Sequence, residues 1–164
     1  MKLKRLTIAS VLAAAALTIF VIESYIPPIV PIPGIKPGLA NIITLTAMVL
    51  LSRREAGAVL AVRIILGSVF AGSMSSLLFS AAGGILAYAV MCLSVGAFPS
   101  KRLWAVSILA AIAHNVGQLA VAAAVSGTPG ILIYAPALFA AAIVTGAFTG
   151  LAAMYIIPRL PQVK

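Results

Sequence analysis

Apolar residues run along the chain in long blocks, and short stretches rich in Arg, Lys, Pro, Gly and Ser separate them. About 20 apolar residues cross the hydrocarbon core of a bilayer, and six blocks fit that length as helices. The pattern predicts helices over about Leu6 to Ile26, Leu39 to Ser52, Ala56 to Gly72, Ser76 to Val95, Leu103 to Val125 and Tyr134 to Ile157. The second is short for a full span. Before it lies Pro27 to Gly38, whose prolines forbid a regular helix. Either this helix thins the bilayer, or the proline segment dips into the protein to complete the crossing. The expected fold class is an all-α, polytopic membrane protein, one integral domain over residues 1–164.

Lys2, Lys4 and Arg5 ahead of an apolar run imitate a signal peptide. The run from Leu6 to Ile22 is long for an h-region, and no small-x-small cleavage pair lies near Glu23, so it reads as a retained first helix. Charge then sets the orientation. With both termini inside, Lys2, Lys4, Arg5, Arg53, Arg54, Lys101, Arg102, Arg159 and Lys164 are cytoplasmic, with Lys36 alone outside and Arg63 within a helix. Six spans in the cell (inner or plasma) membrane satisfy the positive-inside rule at every loop.

Composition narrows the chemistry. The chain is 63% hydrophobic and 8% charged, whereas soluble domains carry about 25% charged residues. A net charge of +9 would suggest nucleic acid in a soluble protein. Here the basic residues punctuate apolar segments, so the expected partner is the lipid bilayer and no nucleic acid. The acids are Glu23 and Glu55, and there is no Asp. That excludes Asp-rich magnesium–diphosphate sites, carboxylate-bridged di-metal sites and two-carboxylate glycosidases. A single cysteine, Cys92, excludes an internal disulfide and an all-Cys metal site. No catalytic set, metal site or cofactor is expected.

Polar side chains inside spans are then the candidates for function. Arg63 sits about seven residues into the third helix, roughly 10 Å from the inner surface. It either snorkels to that surface or takes a ligand or ion-pair role. Glu23, near the outer end of the first helix, is either a wet interfacial carboxylate or a partner for Arg63 or Lys36; depth argues against direct contact with Arg63. His114, Asn115 and Gln118 lie three and four residues apart on the fifth helix and are assigned one polar face. That face is either a buried network joining helices or a ligand site. One His without an Asp or a Cys pair gives too few ligands for a metal. Asn41 opens the second helix just after Lys36, and a helix N-terminus there suits an anion. Gly72, Ser73, Ser75 and Ser76 form a small polar turn. The polar residues gather in the outer half, which predicts an outward-opening pocket for a small anionic or amphipathic molecule. Ala9, Ala13 and Ala16 on the first helix, and Ala142, Gly146 and Gly150 on the sixth, form small-residue stripes for close packing or for docking a partner.

Several of these stretches carry a resemblance. Glu23-Ser24-Tyr25-Ile26-Pro27, Pro33 to Asn41, Arg63-Ile64-Ile65-Leu66-Gly67, Ser80-Ala81-Ala82-Gly83-Gly84 and Ala113 to Gln118 together resemble the family called heptaprenyl diphosphate synthase component I, or Gx transporter family, over about residues 10–153. Pro37 departs from its pattern. The family is similar to the substrate-binding S components of energy-coupling-factor transporters, which implies a six-helix S-component-like bundle with an outer pocket. In that group an alanine stripe on the first helix docks a coupling subunit, a role the resemblance extends to Ala9 and Ala13. With no Asp to hold magnesium, the chain itself is not expected to be a prenyl diphosphate synthase. The leading expectation is a substrate-binding transport component for a small-molecule substrate, energised by a coupling subunit with ATPases. The alternative is a non-catalytic membrane accessory subunit, whose partner is a prenyl synthase or a flavin-linked electron-transfer protein.

Overall fold

Buried residues recur every three to four positions on each long helix. In the computed structural model, which describes residues 2–27, 35–72, 74–99 and 102–161 apart from the side chain of residue 2, these faces converge on one interior. Helix α1 (Lys2–Ser24) turns Leu12, Ala16, Phe20 and Glu23 inward. Helix α3 (Arg53–Ala71) buries Ala56, Val59, Leu60, Arg63, Ile64 and Gly67, a face with helical period. Helix α4 (Met74–Ser94), α5 (Leu103–Ser126) and α6 (Ala135–Ile156) follow, with a 3₁₀ turn, Pro129–Tyr134, leading into α6. The outward faces carry large apolar side chains such as Val69, Phe70, Ile85, Val144 and Phe148. Such a surface belongs against lipid.

Four helical stretches are long and apolar enough to cross a membrane: Leu3–Ser24, Met74–Ser94, Leu103–Ser126 and Pro129–Arg159. The expected helices are present in order, but two lack the character of simple spans. Helix α3 carries Arg53, Arg54, Glu55 and Arg63. Helix α2 (Asn41–Leu50) has ten residues, shorter than the predicted Leu39 to Ser52, and covers about 15 Å, half a hydrocarbon core. Eight of those ten residues are buried, so α2 is the central element of the bundle. The chain just before it, residues 35–40, is irregular and runs inside the bundle, where Ile35, Gly38 and Ala40 are buried. Thinning of the bilayer is therefore unnecessary for this part of the chain. The predicted proline segment over 28–34, Ser73, Lys101 and Lys164 lie outside the described residues.

Small residues set the closest approaches. A Cβ on Gly146 would lie 2.6 Å from the Ile108 backbone, and one on Gly117 2.6 Å from the Ala82 carbonyl oxygen. The stripe on α6 thus packs internally against α5, reinforced by a Ser107–Thr149 hydroxyl contact of 2.9 Å. At the start of α3, the Ser52 hydroxyl caps the helix by accepting from the Glu55 amide at 3.3 Å and donates to the Glu55 carboxylate at 2.8 Å. Arg5 grips the same carboxylate at 3.0 and 2.7 Å and donates to the Leu51 carbonyl at 2.9 Å, tying α1 to the α2–α3 junction.

Two apolar cores result. The larger contains Leu12, Leu45, Leu50, Ala56, Met91, Leu103 and Ile157. It gathers the α2–α3 junction, the start of α5 and the end of α6 at one end of the bundle, where Arg5, Arg53, Arg54, Arg102 and Arg159 also fall. The smaller core, at the opposite end, contains Ile35, Phe79, Leu119, Ala122 and Leu138. A layer of buried polar residues separates the two.

Candidate binding site

That layer is built from five segments. On α5, His114 and Gln118 follow Ala110 of the large core and precede Leu119 of the small one. Arg63 occupies the matching level of α3, Asn41 and Thr44 the start of α2, Glu23 the end of α1, and Gly83 and Gly84 the middle of α4.

Glu23 organises one side of the layer. It is 2% exposed, and its carboxylate accepts from the Leu39 amide at 2.6 Å and the Ala40 amide at 3.3 Å. Ala40, the N-cap of α2, has no side chain able to cap, so α1 supplies the anion that the free N–H groups of a helix start favour. Two expectations change here. Glu23 is not a wet interfacial carboxylate, and the N-terminus of α2 is already occupied by this internal anion. The sequence could not show the second point because the capping group comes from another helix.

Residues 35–40 are held from the other side by α5. With its amide oriented to satisfy its neighbours, Gln118 donates to the Lys36 carbonyl at 3.1 Å and accepts from the Lys36 amide at 3.2 Å and His114 Nε2 at 3.2 Å. Gly38 has φ +77°, and a Cβ there would meet the His114 ring at 3.0 Å and Asn41 Nδ2 at 3.1 Å. Both the left-handed backbone and the tight fit require glycine. The Lys36 ammonium reaches back to Ser24 Oγ at 2.7 Å and sits 3.6 Å over the Phe20 ring. Phe20 thereby lies between the Lys36 ammonium and the Arg63 guanidinium, a position no polarity or spacing argument identifies.

Arg63 does not snorkel. It is 2% exposed, flanked by Leu60 and Ile64, with its guanidinium 6.0 Å from the Phe20 centroid. A Cβ on Gly84 would lie 3.0 Å from its Nη2, so this glycine is what admits the head group. Arg5–Glu55 is the one ion pair among the described residues. Arg63 and Glu23 share the layer without closing an ion pair, although the difference in depth expected to keep them apart is not what separates them. Arg63 Nε and Nη2, Asn41 Nδ2, Thr44 Oγ1 and His114 Nδ1 are buried with no hydrogen-bond partner. Thr44 lies three residues after Asn41 on the same face, a spacing that would have identified it.

The predicted single polar face of α5 divides. His114 and Gln118 face the layer, whereas Asn115 donates to the Leu138 carbonyl at 2.7 Å and joins α5 to α6. Successive helical positions differ by about 100°, so adjacent residues cannot share one direction. On α1, Ala16 is fully buried, while Ala9 and Ala13 are half-buried and pack against the large core. At the predicted polar turn, Gly72 ends α3 in a left-handed conformation (φ 60°) and Ser76 is buried. Among the described residues no three His, Cys, Asp or Glu side chains gather for a metal.

The chemistry of the layer follows from its groups. Its anion, Glu23, is already satisfied by two backbone amides; the unmatched groups on Arg63 and Asn41 are donors, and His114 Nδ1, on a ring whose Nε2 donates to Gln118, is the one unmatched acceptor nitrogen. Each unpaired buried polar group costs about 1–3 kcal/mol, more when charged. A group rich in anionic oxygens is the complement such a layer favours.

No curated protein and no solved structure matches the chain. A family model does: heptaprenyl diphosphate synthase component I, over residues 12–156. This match takes in every helix that contributes to the polar layer, and the chain belongs to the heptaprenyl diphosphate synthase component I family.

Proposed function

We propose that this protein is a non-catalytic membrane subunit that binds an anionic amphipath of the prenyl diphosphate class and serves a separate soluble prenyl synthase. The observation that carries this reading is Arg63, a fully buried guanidinium with two unmatched donor atoms and no ion-pair partner among the described residues. A diphosphate supplies the oxygens that those donors and Asn41 lack. The absence of Asp from the sequence argues against chain elongation on the subunit itself, since magnesium-held diphosphate chemistry needs clustered carboxylates. The family description fits a component that acts beside another. In this reading the whole chain is one integral domain in the cell membrane with both termini cytoplasmic, the arrangement favoured by the basic residues at one end of the bundle.

A second reading is an uptake component for a similar anion, working with a coupling subunit and ATPases. It is favoured by Ala9, which remains half-buried and lines an open groove with Arg5, Leu6 and Arg54 where a partner helix would fit.

Both readings place the ligand head group on Arg63. Arg63→Gln should weaken isopentenyl diphosphate binding by about 1.5–3 kcal/mol, the range for a hydrogen bond to a charged group. Arg63→Lys should recover only part, because a point charge lacks the planar fork. Unchanged binding in Arg63→Gln refutes the proposal. Co-purification then separates the readings: capture of a soluble prenyl synthase supports the first, and capture of a coupling subunit the second.

A further inference from the structure

Helices α4, α5 and α6 pack closely through glycines, but α3 and α4 diverge on the lipid-facing side. Between them lies an open groove of about 440 Å³ lined by Leu60, Ala61 and Ile64 from α3 and Ala81, Ile85 and Tyr88 from α4, within the ~300–1,000 Å³ of small-molecule sites. The Tyr88 hydroxyl donates to the Arg53 carbonyl at 2.8 Å, which closes the groove at the basic end of the bundle. From Gly57 to Ile65 its α3 wall extends about 12 Å along the helix axis.

The groove adjoins the guanidinium. Leu60 and Ile64, which line it, also flank Arg63, and all three meet at Gly84. A Cβ there would lie 3.0 Å from Arg63 Nη2 and 3.1 Å from the terminal carbons of both Leu60 and Ile64. An apolar groove open to lipid is therefore separated from a buried cation with unmatched donors only by the side chains of Leu60 and Ile64. Any acyl chain can lie in an apolar groove. An isoprenoid tethered to a diphosphate follows from the head-group reading above, because the groove wall and the Arg63 guanidinium meet at Gly84.

We propose that the α3–α4 groove holds the isoprenoid chain of the ligand whose head group meets Arg63, so that the ligand reaches the site sideways from the bilayer. This rests on the head-group reading above and adds the chain site and the route.

The test uses two ligands sharing a diphosphate: isopentenyl diphosphate, with one short unit, and farnesyl diphosphate, with a long chain. Ala81→Trp fills the groove from its lipid side. It should weaken farnesyl diphosphate binding at least tenfold and leave isopentenyl diphosphate binding within twofold. Ala61→Trp, on the opposite wall, should do the same and serves if the first variant misfolds. In a Cys92→Ser background, Ile85→Cys should be labelled by a membrane-soluble maleimide, and farnesyl but not isopentenyl diphosphate should slow that labelling. Farnesyl diphosphate binding unchanged by both tryptophans, with no protection of residue 85, overturns the groove while leaving the Arg63 reading intact. An equal loss of both ligands, or an occupant that proves to be an ordinary acyl chain, overturns it as well. If neither diphosphate binds the unmodified protein, the head-group reading falls first and the groove falls with it.

Discussion

Replacing Glu23 by Gln removes one charge from the polar layer without changing its shape. The carboxylate accepts two amide hydrogens, from Leu39 at 2.6 Å and Ala40 at 3.3 Å, at the start of a helix with no other cap. Glutamine keeps one acceptor oxygen and turns an NH₂ toward the second amide, so one pairing becomes neutral and the other is lost. The hydrogen-bond component is about 1.5–3 kcal/mol for a charged acceptor. Loss of a charge beside a helix N-terminus adds about 0.3–1 kcal/mol. Together they predict destabilisation by about 2–4 kcal/mol, read by denaturant unfolding in detergent micelles with the fluorescence of Trp104, the single tryptophan. Ser24→Ala, which loses an exposed contact to Lys36 and a bond to the Phe20 carbonyl within its own helix but leaves the Glu23 cap in place, is the control and should cost less than about 1 kcal/mol. A Glu23→Gln effect below about 0.5 kcal/mol, the scatter of surface substitutions, would refute the capping role.

Gly83→Ala places a methyl 2.7 Å from the His114 ring, and should destabilise the fold by about 1–3 kcal/mol as overpacking does, measured by the same unfolding assay. If Ala13 contributes to partner docking, Ala13→Leu should abolish co-purification of the partner and leave the protein folded; intact co-purification would assign the stripe to internal packing alone. Cysteine labelling should reach residue 36 from outside and residues 53 and 101 only from inside, and labelling of 53 from outside would overturn the proposed orientation.

How much of this was legible in the sequence depends on how local each interaction is. The inward face of α6 was readable because helical periodicity brings Ala142, Gly146 and Gly150 onto one side whatever their partners are. Polarity identified Glu23, Arg63, His114 and Gln118 as candidates, since such residues rarely occur in spans without a role. The pairings escaped it. Glu23 caps α2 from a different helix, and Gln118 pairs with the backbone of Lys36, whose own side chain points elsewhere. No spacing rule connects positions 82 residues apart. The shortness of α2 also depends on the interior: its ten residues satisfy only half a crossing, and the irregular chain before them is tolerable only because Glu23 and Gln118 satisfy its amides.

The central claim is that the buried layer selects an anion. Titration of the purified chain in lipid nanodiscs with farnesyl diphosphate and with farnesylamine tests it most directly, because the two share a chain and differ in the sign of the head group. Saturable binding of the diphosphate, with the amine at least tenfold weaker, is the expected result. Equal binding of the two, or preference for the amine, would contradict the account.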